Sequence, residues 1–297
     1  MMPPRSILAA VDFSEPSRVA LEFATRLANQ CQATLHVLHV EDPLPAAAAR
    51  VGHVDLLRET REGLARFTAG TAAAATRTPL QHVVSGRPTS TICAVAERQQ
   101  VDLIVMGMAG ASSPTRAWFG SVTEGVLRQS NTPVFVIPDS WVAPLQGTAD
   151  LSGMGPVIAG IECTCSAMAG VVAAVRLAEA LETSVSTIHI VPDLTVVERS
   201  PLSGGTVVAQ HVERARAEIA TALLAVKADV PIPLHVDTGA VAEQLAAAVS
   251  STGPHAILVL GRHTRGSKRG APGATAYRVL GLAHVPVLVQ CLDEGWR

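Results

Sequence analysis

The chain has 297 residues, of which 48% are hydrophobic, 16% charged and only 3% aromatic, with a formal net charge of −2. That length suits two domains of common size, the apolar fraction excludes a disordered chain, and the near-neutral balance excludes a broad attraction to nucleic acid or anionic membrane. With so few aromatics, the cores must be built from Ala, Val, Leu and Ile. No run of eighteen apolar residues marks a membrane span. Met1–Ser6 leads into a strand-like run without the apolar stretch of a signal peptide, so a cytoplasmic protein is expected.

The elements alternate from the start. Ile7–Val11 is a continuous apolar run, the pattern of a strand buried on both faces, and it ends at Asp12. Ser14-Glu-Pro-Ser introduces a helix expected over about 17–30, with Val19, Ala20, Phe23 and Leu27 at helical spacing. Thr34–Val40 reads as the second strand, roughly 51–75 as a helix, and Leu80–Val84 as the third strand. A helix over 89–99, a strand over 103–106, a helix over 121–129 and a strand over 134–137 complete the series. This βαβαβαβαβ order predicts a parallel sheet covered on both faces, with ligands bound beyond the carboxyl ends of its strands.

The pattern then repeats. Ile7-Leu-Ala-Ala-Val-Asp12 corresponds to Val157-Ile-Ala-Gly-Ile-Glu162, Leu103–Gly107 to Ile257–Gly261, and Asn131–Ile137 to His284–Gln290. Three correspondences in one order at nearly constant offset identify a tandem duplication. The expected organisation is a first domain over 1–140, a linker over 141–155 rich in Gly and Pro, and a second domain over 156–297. Strands 134–137 and 287–289 are expected at sheet edges, where pairing them would make an internal pseudo-dimer. The five cysteines are odd in number and scattered, which does not suggest a disulfide framework. Cys163 and Cys165 form the one close pair and lack the further ligands of a metal site.

The informative segment follows the fourth strand. Gly107, Gly110, Gly120 and Ser121 fall on G-x2-G-x9-G-S, running from a buried strand through a loop of small residues to a helix start. Glycines let a phosphate approach the backbone amides, and a helix N-terminus offers unpaired N–H groups and the positive end of the dipole. Ser121 is expected either to cap that helix or to donate to a phosphate oxygen. Asp12, at the ligand edge of the sheet, can accept from a ribose hydroxyl or an adenine amine.

On these motifs both halves resemble universal stress protein domains. The resemblance is carried by the complete G-x2-G-x9-G-S, the first strand ending in Asp12, Leu38-His-Val40, and Asn131-Thr-Pro-Val. It implies the adenine nucleotide α-hydrolase-like fold: α/β, two tandem doubly wound domains, each a five-stranded parallel sheet. It also implies ATP in the first domain. There Asp12 and Val40 would lie around the adenosine, Val40 through its backbone, and the glycine loop with Val122 would hold ribose and phosphates. A homodimer and a role in the stress response follow from the same resemblance.

The second copy departs from the motif. Glu162 replaces Asp12, Thr264 replaces the second glycine, Ala274 replaces the hydroxyl residue, and the loop before Gly273 is one residue shorter. This copy is expected to bind ATP weakly or not at all. Arg262, Arg265, Lys268 and Arg269 in its loop suit either a solvated surface or an anion site built from side chains. No P-loop sequence and no nucleophile elbow occurs, and the first-copy loop brings only Arg116 as a nearby cation. No catalytic residue and no dedicated metal ligand is expected, although Mg could accompany the phosphates. The expected function is therefore nucleotide binding with a sensing or regulatory role toward an unknown protein partner. The alternatives are a slow ATPase and an interaction module with a vestigial nucleotide loop.

Overall fold

The computed structural model describes residues 3–41, 56–109, 120–145, 147–161, 168–192, 206–228, 230–262 and 274–291. The chain divides between Gly153 and Met154 into two compact units.

The first unit contains β1 (Ser6–Val11), α1 (Glu15–Cys31), β2 (Thr34–Glu41), α2 (Leu56–Ala72), β3 (Leu80–Ser85), α3 (Pro88–Arg98), β4 (Leu103–Gly107), α4 (Ser121–Gln129) and β5 (Val134–Ile137). The strands lie in the order β3-β2-β1-β4-β5, all parallel. Winding runs outward from β1 to β3, then crosses back to β4 and β5, so direction reverses between β1 and β4. A crevice opens at such a reversal. β1, β4 and β5 are buried almost throughout, which explains their unbroken apolar runs. Aliphatic side chains dominate this core, as the scarcity of aromatics requires; Ile7, Leu8, Leu38 and Ile104 are fully buried.

Helix α1 begins two residues earlier than its apolar spacing suggests. Ser14 is the N-cap and accepts from the Ser17 amide at 3.3 Å, with Pro16 in the first turn. A proline there sacrifices no hydrogen bond, because the first helical amides have no intrahelical acceptor. The helix ends at Gln32, whose φ of 55° turns the chain into β2. Its first turn lies close against the end of β4. A Cβ built on Gly107 would stand 2.8 Å from the carbonyl oxygen of Pro16 and 2.9 Å from its carbonyl carbon. The glycine at the end of β4 is therefore required by helix–strand packing, not only by the access to amides that the motif suggests.

The segment after β5 packs back onto α1. Trp141 is buried, edge-on to Phe23 at 5.2 Å. Arg26 donates through Nη1 to the carbonyls of Thr148 and Asp150. Buried Asn29 donates to the carbonyls of Ala74 and Ala149 and accepts from the amide and hydroxyl of Thr76. One amide side chain thus ties the end of α2 and the stretch following β5 to α1.

The second unit repeats the plan. It has β6 (Val157–Gly160), α5 (Met168–Ala180), β7 (Val185–Pro192), α6 (Thr206–Leu223), β8 (Leu234–Gly239), α7 (Val241–Ser251), β9 (Ile257–Arg262), α8 (Ala274–Leu282) and β10 (Val287–Cys291). Strand order is β10-β9-β6-β7-β8, again parallel. The duplication reaches single hydrogen bonds. His39 Nδ1 donates to the carbonyl of Val11 at 2.9 Å, and His189 Nδ1 donates to that of Ile161 at 2.8 Å. In both units a histidine of the second strand clasps the end of the first.

Gly107→Ala is expected to destabilise the first unit by about 1–3 kcal/mol, because the new methyl meets backbone that cannot rotate away. A lower midpoint in denaturant unfolding is the predicted result; an unchanged midpoint contradicts the packing. Asn29→Ala, which strands four backbone and side-chain groups, is expected to cost about 1–3 kcal/mol by the same measurement.

Candidate functional site

A cavity of about 260 Å³ opens at the carboxyl ends of the strands where β1 and β4 part. Its walls come from the ends of β1, β2 and β4 and from the first turns of α3 and α4. Asp12, Val40, Gly107, Gly120, Ser121 and Val122 all line it. The remaining residue of the motif, Gly110, lies outside the described residues, as does Arg116.

The polar side of the cavity is built at the start of α1. Asp12 stands just past β1 and is exposed. Its Oδ1 accepts from the Ser14 amide at 3.1 Å and the Ser14 hydroxyl at 2.5 Å. Buried Ser17 faces the same corner, accepting from the Asp12 amide at 3.4 Å while its hydroxyl donates to the Ser14 carbonyl at 2.9 Å. Asp12 is thus held by the cap that starts α1, and the cap by the packing of Pro16 on Gly107.

The opposite corner is the start of α4. Gly120 is the N-cap, with φ −69° and ψ 138°, and no side chain caps the helix. Ser121 occupies the first helical position, so the capping role that the sequence suggested for it is not the one it has. The Gly120 amide donates to Met108 O and the Met108 amide to Ile137 O, both at 3.0 Å, which fixes the helix start over the sheet. Buried Thr123 adds a third tie by donating from Oγ1 to Gly107 O at 3.0 Å. The amides of Ser121, Val122 and Thr123 precede any intrahelical acceptor, which makes this turn a place for an anion.

Between these corners the wall is apolar: Leu38, Ile92 and Met106. Sequence reasoning missed α3 as a wall, and with it Pro88 and Ile92. The available signal was Gly86-x-Pro88 at a strand-to-helix junction, the same kind of junction that made the glycine loop informative. It also missed Ser17 and Thr123, whose hydroxyls hold backbone at the site. Asp12 is the one charged side chain among the described residues lining the cavity.

Elsewhere the chemistry is sparse. Among the described residues no group of three or more His, Cys, Asp or Glu side chains could hold a metal. Burial pushes the Cys31 thiol up to about 12, leaving it protonated and unreactive at neutral pH. No helix among the described residues is long and apolar enough to cross a membrane. His36 and His39, three apart on β2, face opposite sides of the sheet. His39 stacks on Phe13 at 4.2 Å, and His36 meets His82 at 3.0 Å. His36 and His82, on neighbouring strands, form one hydrogen-bonded pair.

In the second unit, Ala276 occupies the third helical position of α8, where α4 has Thr123, and has no hydroxyl to give to Gly261. Glu162, Cys163, Cys165, Thr264, Arg265, Lys268, Arg269 and Gly273 lie outside the described residues. Arg262 and Ala274 are described by their backbone alone.

Comparison with known proteins agrees with this architecture. The profile of the universal stress protein family matches residues 4–138 and again 154–290. A universal stress protein of Methanocaldococcus jannaschii is 28% identical over 138 residues, covering 45% of this chain and 81% of that protein. The universal stress protein YxiE of Bacillus subtilis is 29% identical over 143 residues, covering 44% of this chain and 97% of its own. The crystal structure of a universal stress protein from Archaeoglobus fulgidus aligns over 97% of this chain and 98% of its own, with a TM-score of 0.68 at 20% identity, a likeness of fold. By the double match of its sequence, the chain belongs to the universal stress protein family, as two family domains in tandem.

Proposed function

We propose that the first unit binds one adenine nucleotide, ATP, and that the protein acts in the stress response as a nucleotide-dependent regulator. The observation that carries the reading is the convergence of an acceptor carboxylate, an apolar slot and an uncapped helix start on one cavity. A nucleoside presents the complementary groups in that order: hydroxyls and an exocyclic amine for Asp12, a flat apolar face for Leu38, Ile92 and Met106, and an anion for the start of α4. The volume of about 260 Å³ lies near the lower bound of roughly 300 Å³ for small-molecule sites. It suits the nucleoside, with the phosphates extending toward the start of α4. Val40 reads the base through its backbone, and Ser121 and Val122 meet the phosphates.

The charge of a triphosphate needs compensation. No Lys or Arg is among the described residues lining the cavity, so the α4 dipole and backbone amides supply it on the protein side. Mg would accompany the phosphates, with Asp12 the carboxylate within the same cavity. Phosphoryl transfer requires a positioned nucleophile and strong charge stabilisation at the transferred group. The hydroxyls of Ser17 and Thr123 are both committed to backbone carbonyls. Binding without rapid turnover follows, and the change that ATP makes in the surface of this unit is what a protein partner would read.

Calorimetry on the whole chain is expected to give one ATP per chain, the second unit remaining empty. Gly110→Val is expected to abolish binding, by adding a branched side chain to the glycine motif that the phosphate reading requires. Asp12→Ala is expected to weaken it about tenfold or more through the lost acceptor. Two equal sites, or full affinity in Gly110→Val, contradict the assignment. Phosphate release at several turnovers per second, lost in Ser121→Ala, would instead support the ATPase reading.

A further inference from the structure

Beneath α3, on the sheet face that carries Leu38 and Val40, His36 Nδ1 and His82 Nε2 are 3.0 Å apart, with ring centroids 5.2 Å apart and planes 12° from parallel. One nitrogen of such a contact must donate and the other accept. The bond therefore exists only while at least one ring is neutral. A second proton turns both nitrogens into donors on two adjacent cations.

The surroundings offer that second proton no support. β3 contributes His82, and α3 contributes Arg98, a cation acting on His82. Of the other titratable groups on α3, Cys93 is half-buried and Glu97 is exposed. On β2, His39 and Glu41 face the other side of the sheet, where His39 stacks on Phe13 and Glu41 accepts from Thr60 of α2. Among the described residues no carboxylate pairs with either ring. Burial lowers both pKa values, with His82 adding to the effect on His36 and Arg98 to that on His82.

The second unit provides the contrast. The matching clasps of His39 and His189 align β2 with β7, so His36 corresponds to Ser186. The ladders pair Val37 with Gln81 and Thr187 with Leu234, so His82 corresponds to His235. Where the first unit has a stacked pair, the second has an open groove of about 570 Å³ lined by Ser186 and His235. The pair is a feature of the first unit alone.

Helix α3 connects the pair to the cavity. Arg98 ends the helix near the histidines, and Pro88 and Ile92 at its other end line the cavity. Thr89 leaves no slack against α4: a Cβ on Gly125 would stand 2.5 Å from its Oγ1. A displacement of α3 therefore moves the apolar wall of the cavity and bears on α4 at Gly125. We propose that the His36–His82 pair is an acid-responsive latch, whose double protonation loosens α3 and weakens nucleotide binding by the first unit. The loosening stands on the pair itself; its effect on affinity rests on the nucleotide reading of the cavity.

The sign follows from the lowered pKa values. The unfolded chain takes up protons first as pH falls below about 6.5, so the stability held by the pair is complete above that pH and lost below it. Hydrogen exchange on the full chain at about pH 7.5 and about pH 5.5, corrected for intrinsic rates, tests the latch. Protection of α3 is expected to fall roughly tenfold in acid while that of α7, the matching helix, holds. The fall should shrink in His36→Ser, which copies the residue of the second unit, and in His82→Gln, which keeps a donor without titrating, since each leaves one buried ring, and it should vanish when both changes are combined. Equal losses in α3 and α7, or an acid loss retained in full in the double variant, overturn the proposal. Calorimetry with ATP at the same two pH values reads the coupling, the variants cancelling the protonation of ATP itself. A larger acid loss of affinity in wild type than in the variants supports it, and equal losses overturn it. No ATP binding at either pH would remove the nucleotide reading, while the exchange data would still decide the latch.

Discussion

The contact between the first turn of α1 and the end of β4 governs the first unit. Pro16 can lie against Gly107 only because position 107 has no Cβ. That approach sets the height of α1 over the sheet, and so the position of its cap, Ser14. Ser14 in turn holds Asp12, while Ser17 meets the Asp12 amide from the next turn. On the far side of the same glycine, the carbonyl of Gly107 receives Thr123 and orients α4. One residue without a side chain thus brings two helix starts within reach of one small ligand. Strand order supplies the crevice, and this glycine sets its width.

The two units show what such an arrangement can lose while the fold persists. Both keep five parallel strands in the same order and the same histidine clasp. They differ at the contacts that serve the cavity. Thr123 has become Ala276, so the hydroxyl tie between helix and strand is gone. In the first unit α3 and α4 approach through Gly125 and Thr89. At the matching helix pair of the second unit, Arg278 and Glu243 form an ion pair instead. A hydroxyl tie absent at one helix start and an ion pair at the helix pair thus distinguish the second unit while its strand order stays the same.

Much of this was legible in the sequence because its signals are periodic or repeated. Continuous apolar runs placed β1, β4 and β5, and the duplication doubled the weight of every such assignment. Three residues of the glycine motif, Gly107, Gly120 and Ser121, line the cavity, at a strand–loop–helix junction that leaves amides unpaired. Contacts between residues distant in sequence were not legible. Nothing local distinguishes a glycine needed for a phosphate from one needed for Pro16. Nor does spacing reveal that His36 meets His82 across two strands, or that Ile92 closes the pocket from a neighbouring helix. For Ser121, residue type left a helix cap and a phosphate donor as alternatives, and the backbone angles give the cap position to Gly120.

The central claim is that an adenine nucleotide sits between the first turns of α1, α3 and α4 in the first unit and nowhere in the second. Amide chemical-shift mapping on the whole chain during an ATP titration tests it most directly. The account predicts saturable shifts at Asp12, Ser17, Gly107 and Gly120–Thr123, with their counterparts around Gly261 and Ala276 silent. Shifts confined to the second unit, or none at millimolar ATP, would contradict it.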